Sequence, residues 1–191
     1  WPLPRDTQAG GFRYAPPFLA RLHPRLSAGP LRNAVATVCR RAARRIAARA
    51  AMRPWPLETW EFGQWGNSPT AYARAFDVYW LTRVVPDVVP PSTALRNMLW
   101  VFGLHPTCDT VFVAGLGYPE PRYLYNCHLH AMHGFAPASI PGAVIPGMGG
   151  FWYSGVVCYI DEYGWYGNNE ACIYTAAQYI FAVNAMRAMG Y

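Results

Sequence analysis

The stretch Asp161–Ala188 reads DEYGWYGNNEACIYTAAQYIFAVNAMRA, and it is the part of the chain that decides the class of fold. Its first ten residues form a segment rich in aromatic residues, glycine and asparagine. The residues after them carry apolar side chains three or four positions apart, which is the period of a helix. We therefore predict a helix over residues 169–188, with Glu170 in its first turn and with Ile173, Ala177, Ile180, Phe181 and Asn184 at helical spacing.

Three further helices are predicted upstream of this stretch. The first covers residues 31–52 and ends at consecutive turn residues. The second covers residues 69–84, where Ser68 is a suitable N-cap and Pro69 occupies the first helical position. The third covers residues 93–103, after the capping residue Ser92. Because apolar stripes recur at helical spacing, we expect these helices to pack as an incomplete ring of helical hairpins with no central sheet.

The remaining segments are predicted to be irregular. Residues 1–30 are rich in proline and glycine and carry one short helical pattern near Phe18–His23. Residues 104–150 show no lasting helical period, and their glycine content indicates a long loop of the kind that often carries function. The only strand-like run is Thr110–Ala114. The chain is therefore predicted to be all-α.

Composition excludes several classes of function. Hydrophobic residues make up 53% of the 191, enough for one ordinary domain, and no apolar run is long enough to cross a membrane. All 16 basic residues are arginine, and residues 1–53 carry eleven of them against one acid. This part of the chain could bind phosphates, but the arginines also fit the solvated face of an amphipathic helix, with Leu31, Val35, Val38, Ala42 and Ile46 facing inward. We favour the second interpretation and expect no nucleic-acid partner.

Cysteine and aromatic residues narrow the choice further. The five cysteines include no Cys-x-x-Cys pair, so a disulfide framework is not indicated. Aromatic residues make up 16% of the chain and include eight tryptophans. Such rings suit stacking against the faces of sugars, although a large aromatic core would explain the same content.

Two groups of residues carry possible chemistry. Glu170 follows the aromatic loop, and a carboxylic acid among aromatic side chains is a typical proton donor. It could equally be a routine acid at the start of a helix. The second group is the loop 126–133, which contains His128, His130 and His133. His-x-His with a third histidine and a nearby cysteine fits a zinc site, a ligand-contacting loop or hydrogen-bonded loop residues.

Four short motifs resemble those of glycoside hydrolase family 9, in that family's order. They are Trp65-Gly66-Asn67-Ser68; Gly103-Leu104-His105-Pro106 followed by Phe112-Val113-Ala114-Gly115-Leu116-Gly117; Ile140-Pro141-Gly142-Ala143-Val144-Ile145-Pro146-Gly147; and Asn169-Glu170-Ala171-Cys172-Ile173 before an alanine-rich helix. Together they cover about residues 60–188. The last is similar to a closing signature in which the glutamate is the catalytic acid.

The resemblance implies the C-terminal portion of an (α/α)6 barrel, hence a single partial catalytic domain over 1–191. Within it, a basic helical part covers 1–53 and the active-site motifs lie in 54–191. The implied activity is inverting hydrolysis of a β-linked glucan or oligosaccharide, with Glu170 as the general acid. The family's base comes from an Asp-x-x-Asp pair, which the sequence lacks, since Asp6 stands alone. Asp161 and Glu162 are expected to be structural or substrate-facing.

The implied sugar-binding residues follow from the same resemblance. They are His128, His130, His133, Arg122, Tyr166 and Trp165, although the histidines are spread out compared with the family's pattern. No cofactor and no metal are expected, and an extracytoplasmic location is favoured. A non-catalytic carbohydrate-binding domain and a zinc protein built on the histidine loop are the alternatives.

Overall fold

The structure is a computed structural model that describes residues 15–52, 66–105, 108–134, 136–137, 139–150 and 157–191. Its helices are α1 (Ala15–Leu22), α2 (Pro30–Met52), α3 (Ser68–Thr82), α4 (Ser92–Val101), α5 (Cys127–His133), α6 (Tyr166–Asn169) and α7 (Ile173–Ala188). A 3-10 turn follows α1 at His23–Arg25. Among the described residues, the strands are β1 (Gly149–Gly150) and β2 (Val157–Cys158), which pair antiparallel. The prediction of an all-α protein is confirmed.

Helices α3, α4 and α7 pack together, and α1 packs on α2 and α3. The centre of this assembly is fully buried and includes Tyr72, Leu81, Met98 and Trp100. Burial of such side chains is the main source of stability in a helical domain. We call α1–α4 and α7 the helical layer. No helix in the described parts of the chain combines the length and the apolar character that crossing a membrane requires.

Helix α2 is amphipathic, as the arginine pattern predicts. Its inward face consists of small or apolar side chains: Val35, Cys39, Ala42, Ala43, Ile46 and Ala50. Arg41 and Arg44 are exposed on the other face, and Arg40 forms an ion pair with Asp87 at 3.0 Å. One expected inward residue is wrong: Leu31 is 64% exposed because the helix begins at Pro30, beyond the edge of the core.

The last helix begins later than the sequence predicts. Helix α7 starts at Ile173, and Glu170 has an extended backbone with φ −71° and ψ 110°. Placing Glu170 in the first turn of this helix was therefore wrong. The reason is tertiary: Tyr125 forms a parallel bridge with Glu170, and this pairing holds the chain extended between α6 and α7.

The outer face of α7 is largely apolar. Ile173 is 90% exposed, and Ile180 and Phe181 are 58% and 60% exposed. The five residues that share helical spacing, Ile173, Ala177, Ile180, Phe181 and Asn184, are all exposed. Periodicity cannot orient this helix, because apolar residues lie on every side of it.

Candidate functional site

The site is built where loop segments from distant parts of the sequence cross. The Gly66–Ser68 segment donates three backbone hydrogen bonds: Gly66 N to Gly167 O at 2.7 Å, Asn67 N to Met148 O at 2.8 Å and Ser68 N to Pro146 O at 2.9 Å. The first and third motifs are thus in direct contact, and Gly167 lies two residues before the fourth. Trp65 and Pro106 lie outside the described residues. We call the segments 66–67, 108–126, 139–150 and 159–170 the loop layer.

Two glycines make this crossing possible. A Cβ on Gly66 would overlap the backbone of Pro146, and a Cβ on Gly147 would overlap the ring of Phe112. Gly147 also has a φ of +71°, a conformation that side chains disfavour. Phe112 belongs to the second motif, and its carbonyl accepts a hydrogen bond from Ile145 N at 3.1 Å. The first three motifs therefore share one packed region with the segment that leads into the fourth.

Two buried asparagines fix the segment that leads to Glu170. The side-chain amide of Asn168 donates to Gly147 O at 2.6 Å. The amide of Asn169 donates to Ile160 O at 2.7 Å and to Glu162 O at 3.0 Å. Both residues have no exposed surface. Because a buried amide is costly unless it is hydrogen-bonded, these bonds impose one conformation on the loop.

Asn169 also connects this loop to the segment before α5. Its carbonyl accepts from Tyr125 N at 2.9 Å, and its side-chain oxygen lies 2.8 Å from the hydroxyl of Tyr159. Burial and the neighbouring Asp161 carboxylate raise the pKa of Tyr159, so that its hydroxyl stays protonated and can donate. Glu170 is the next residue, so the buried hydrogen bonds of Asn169 also fix the position of its backbone.

The surroundings of Glu170 are aromatic. Its bridge partner Tyr125 has its ring centroid 5.2 Å from that of Tyr163 and 5.8 Å from that of Tyr166. Tyr163 in turn lies 4.8 Å from the ring of His130. These rings form a continuous group, which we call the tyrosine cluster (Tyr125, Tyr163, Tyr166 and His130). The cluster runs from the backbone beside Glu170 to the histidine helix.

The three histidines lie on α5, a helix that the sequence did not predict. The carboxamide of Asn126 caps it by accepting from His128 N at 3.0 Å and Leu129 N at 3.3 Å. His130 lies against Tyr163, and its Nδ1 lies 3.0 Å from Gly134 O. His128 and His133 are exposed. Within the described residues, no group of three His, Cys, Asp or Glu side chains is arranged to hold a metal ion.

Arg122 is held at the edge of this region by Asp161. The Asp161 carboxylate accepts from the backbone amides of Arg122 and Tyr123 at 3.1 Å each, and it pairs with the Arg122 side chain at 3.4 Å. Asp161 therefore has the structural role expected of it. The Arg122 side chain remains 67% exposed. Trp165 is half-buried, and its carbonyl accepts from the amides of Asn168 and Asn169.

His105, which stands in the second motif, has a structural position. Its ring is stacked on Phe112 at 4.8 Å, and its Nε2 lies 3.1 Å from Thr110 O. Its Nδ1 lies 3.4 Å from the sulfur of Cys108. Burial lowers the pKa of His105, which favours the neutral ring. A neutral ring can donate to Thr110 and accept from Cys108, so this group closes the turn between α4 and the loop layer.

Sequence reasoning missed Tyr125 and Tyr163 as members of the site. Tyr125 lies in a stretch without periodicity, and its proximity to Glu170 depends on a long-range bridge. The pair Asn168-Asn169 was a usable signal. Consecutive asparagines beside an acid, in a loop crowded with aromatic residues, are more easily explained as hydrogen-bonded supports than as solvated polar residues.

The protein is a helical domain. Its candidate functional residues lie in the segments that connect the packed helices. No family model matches the chain. A search of curated proteins also finds no match. Solved structures do match this chain.

A single mutant of a thermostable endoglucanase from Alicyclobacillus acidocaldarius is 23% identical with a TM-score of 0.69, covering 83% of this chain and 32% of that one. A metagenome-derived glycoside hydrolase family 9 endoglucanase is 20% identical with a TM-score of 0.67, covering 85% and 30%. AaCel9A in complex with cellobiose-like isofagomine is 23% identical with a TM-score of 0.65, covering 83% and 32%.

The chain therefore has the fold of glycoside hydrolase family 9 endoglucanases over about a third of their length. It corresponds to part of an (α/α)6 helical barrel. The resemblance that four short motifs indicated is confirmed at the level of the fold.

Proposed function

We propose that the chain is part of a glycoside hydrolase that cleaves β-linked glucan or a related oligosaccharide with inversion, and that Glu170 is the general acid. The observation that supports this proposal best is the position of Glu170 in the structure. It lies half-buried on an extended segment, directly after two buried asparagines and beside the tyrosine cluster. This arrangement suits a proton donor, because its backbone is fixed and the neighbouring aromatic rings exclude part of the water.

The tyrosine cluster supplies the sugar-contacting surface in this proposal. Aromatic rings bind the apolar face of a pyranose, while imidazole and guanidinium groups donate hydrogen bonds to its hydroxyls. His128, His130, His133, Arg122, Tyr166 and Trp165 keep the substrate-binding role expected for them, and Tyr125 and Tyr163 join them. His130 is the histidine whose place beside the cluster best suits this role.

Inversion also requires a second carboxylate, which activates water across the sugar ring at roughly 6.5–9.5 Å from the acid. Asp161 is engaged with backbone amides, and Glu162 is exposed on the loop surface. We therefore propose that the base comes from outside the described residues, in the part of the barrel that this chain does not span. The 191-residue chain alone is expected to bind sugar but not to hydrolyse it.

The test is Glu170→Gln in an enzyme that has the rest of the barrel. Turnover of a glucan should fall by about 10²–10⁴-fold, because the amide cannot release a proton to the leaving oxygen. An aryl glycoside with a good leaving group should lose less, since its departure needs less protonation. Glu162→Gln, on the same loop, is the matched control and should keep normal turnover.

Near-normal hydrolysis by Glu170→Gln would refute the assignment of the acid. Sugar binding without hydrolysis in the barrel-complete protein would instead favour a carbohydrate-binding domain that keeps the fold. The tyrosine cluster would serve that second function as well, because its ring contacts do not depend on the acid.

A further inference from the structure

Helix α7 has two sides that could each pack against another helix. One side is buried, and α7 packs with it on α3 and α4; its buried residues are Thr175, Ala182, Ala185 and Met186. The opposite side is exposed, and we call it the α7 stripe: Ile173, Ala177, Ile180, Phe181 and Asn184. A helix that is apolar on every side is typical of a position that is covered on every side.

The α7 stripe lacks the charges of a helix face that meets water. No acidic residue, arginine or histidine occurs between residues 173 and 186. The outer face of α2 is different, and it exposes Arg41, Arg44, Arg45 and Arg49. Large exposed apolar surfaces mark sites of interaction more often than solvated faces. The contrast between the two helices therefore indicates that the α7 stripe is an interaction surface.

The spacing of the stripe fits another helix as its partner. Ile173, Ala177, Ile180 and Asn184 follow one another in alternating steps of four and three residues, which is the seam along which two helices pack. The amide of Asn184 already donates to Ile180 O at 2.8 Å, so this nitrogen keeps a partner when the stripe is covered. Phe181 extends the apolar surface towards α3, where its ring centroid lies 5.6 Å from that of Phe76.

We propose that the α7 stripe is the surface on which an apolar helix from the rest of the barrel packs. The matched folds continue well beyond this chain, which covers 32% and 30% of two of them. A part of a helical ring has helices with one uncovered side, and α7 is such a helix. The proposal rests on the proposed function, in which the same remainder supplies the base. Because Ile173 is three residues beyond Glu170, packing on the stripe brings that remainder close to the acid.

A cysteine placed in the stripe measures whether the stripe is covered. Ala177→Cys adds a thiol to the α7 stripe, and Ala48→Cys is the matched control on the exposed face of α2. Alkylation by iodoacetamide, resolved peptide by peptide in a mass spectrometer, gives the rate at each new thiol. Each variant is compared between the 191-residue chain and the barrel-complete protein, so that charges near each thiol do not affect the ratio.

The thiol of Ala177→Cys should react at least about tenfold more slowly in the barrel-complete protein than in the isolated chain, because it becomes buried. The thiol of Ala48→Cys should keep its rate. Equal rates for Ala177→Cys in the two proteins would overturn the proposal. Protection of this thiol in the isolated chain that disappears on dilution would also overturn it, because a second copy of the chain would then be the partner.

Ala177→Glu tests the same contact through stability. Glutamate is a good helix former, so the midpoint of thermal unfolding of the isolated chain should change little. In the barrel-complete protein the carboxylate would be buried without a partner, and the midpoint should fall by several degrees or the protein should fail to fold. Ala48→Glu is the control and should leave both proteins nearly unchanged. The same small effect of Ala177→Glu in both proteins would mean that nothing packs on the stripe.

These measurements fail separately from the proposed function. If the thiol of Ala177→Cys is protected while Glu170→Gln hydrolyses glucan normally, then the stripe is a contact within the barrel and the assignment of the acid is wrong. If hydrolysis depends on Glu170 while the thiol is not protected, then the function stands and only the inference about α7 fails.

Discussion

The helical layer and the loop layer of this protein are stabilised in different ways. In the helical layer, apolar side chains such as Leu81, Met98 and Trp100 are fully buried between helices. In the loop layer, short backbone hydrogen bonds and two buried asparagines connect segments that have little regular structure. Apolar packing tolerates changes of shape better than polar networks do. The loop layer should therefore respond to smaller chemical changes than the helical layer.

The largest effect is expected from Gly66→Ala. The added methyl group would overlap the backbone of Pro146, which cannot move without breaking the crossing of three segments. We expect a loss of more than about 3 kcal/mol in the free energy of unfolding, measured by denaturant titration. Gly164→Ala is the matched control, because nothing lies within 4 Å of the added atom. If both substitutions cost the same, the loop layer is not closely packed at Gly66.

A smaller effect is expected from Asn169→Asp, which keeps the shape of the side chain but removes its two donated bonds. The carbonyls of Ile160 and Glu162 would lose a partner, at a cost of about 1–3 kcal/mol. Hydrogen exchange at the amide of Tyr125 should accelerate, since its acceptor is the carbonyl of Asn169.

Asn184→Asp is the corresponding control in the helical layer. Its side chain also donates to a backbone carbonyl, that of Ile180 at 2.8 Å, but it does so on an exposed face. The expected cost there is below about 0.5 kcal/mol. A loss at Asn184 that equals the loss at Asn169 would contradict the distinction between the two layers.

The smallest structural change is expected from Asp77→Asn in the helical layer. This substitution should alter mainly how the stability of the protein depends on pH. Burial raises the pKa of Asp77 to about 6, although Arg74 lies 2.7 Å away and opposes this rise. The folded protein thus holds this proton more tightly than the unfolded chain does. The stabilisation is complete below the ordinary pKa of 3.8 and is lost as the pH rises through about 6.

Thermal or denaturant unfolding between about pH 4 and about pH 7 measures this contribution as the difference between the two proteins. The unchanged protein should lose stability relative to Asp77→Asn as the pH increases. A constant difference would mean that the pKa of Asp77 is not raised in the folded state. A difference of opposite slope would mean that the ion pair with Arg74 prevails over burial.

The sequence predicts the helical layer well for a physical reason. Local features of the sequence indicate helices α2, α3 and α4. Examples are the proline at the second position of α3 and the apolar stripe of α4. These signals depend on residues within a few turns of one another. Glu170 was singled out through a local pattern as well, together with its resemblance to a known signature.

The geometry of the site could not be predicted in the same way. The extended conformation of Glu170 depends on Tyr125, and α5 depends on the cap that Asn126 supplies within an otherwise irregular stretch. Ile173 shows a different limit, since its helical spacing is correct but does not reveal that its side chain is exposed. A pattern gives the period of a helix, whereas the neighbours of that helix decide which face is covered.

The crossing of segments around Gly66, Gly147 and Gly167 also bears on the order in which the protein folds. Contacts within a helix close short loops, whereas the bond from Gly66 N to Gly167 O joins residues that are far apart in the chain. Long-range contacts form slowly, because closing a large loop costs entropy before the contact can stabilise the chain. The individual helices can therefore form early, while the packing of α7 on α3 and the surroundings of Glu170 follow later. The loops around the proposed acid would accordingly be among the last parts of a refolding molecule to become ordered.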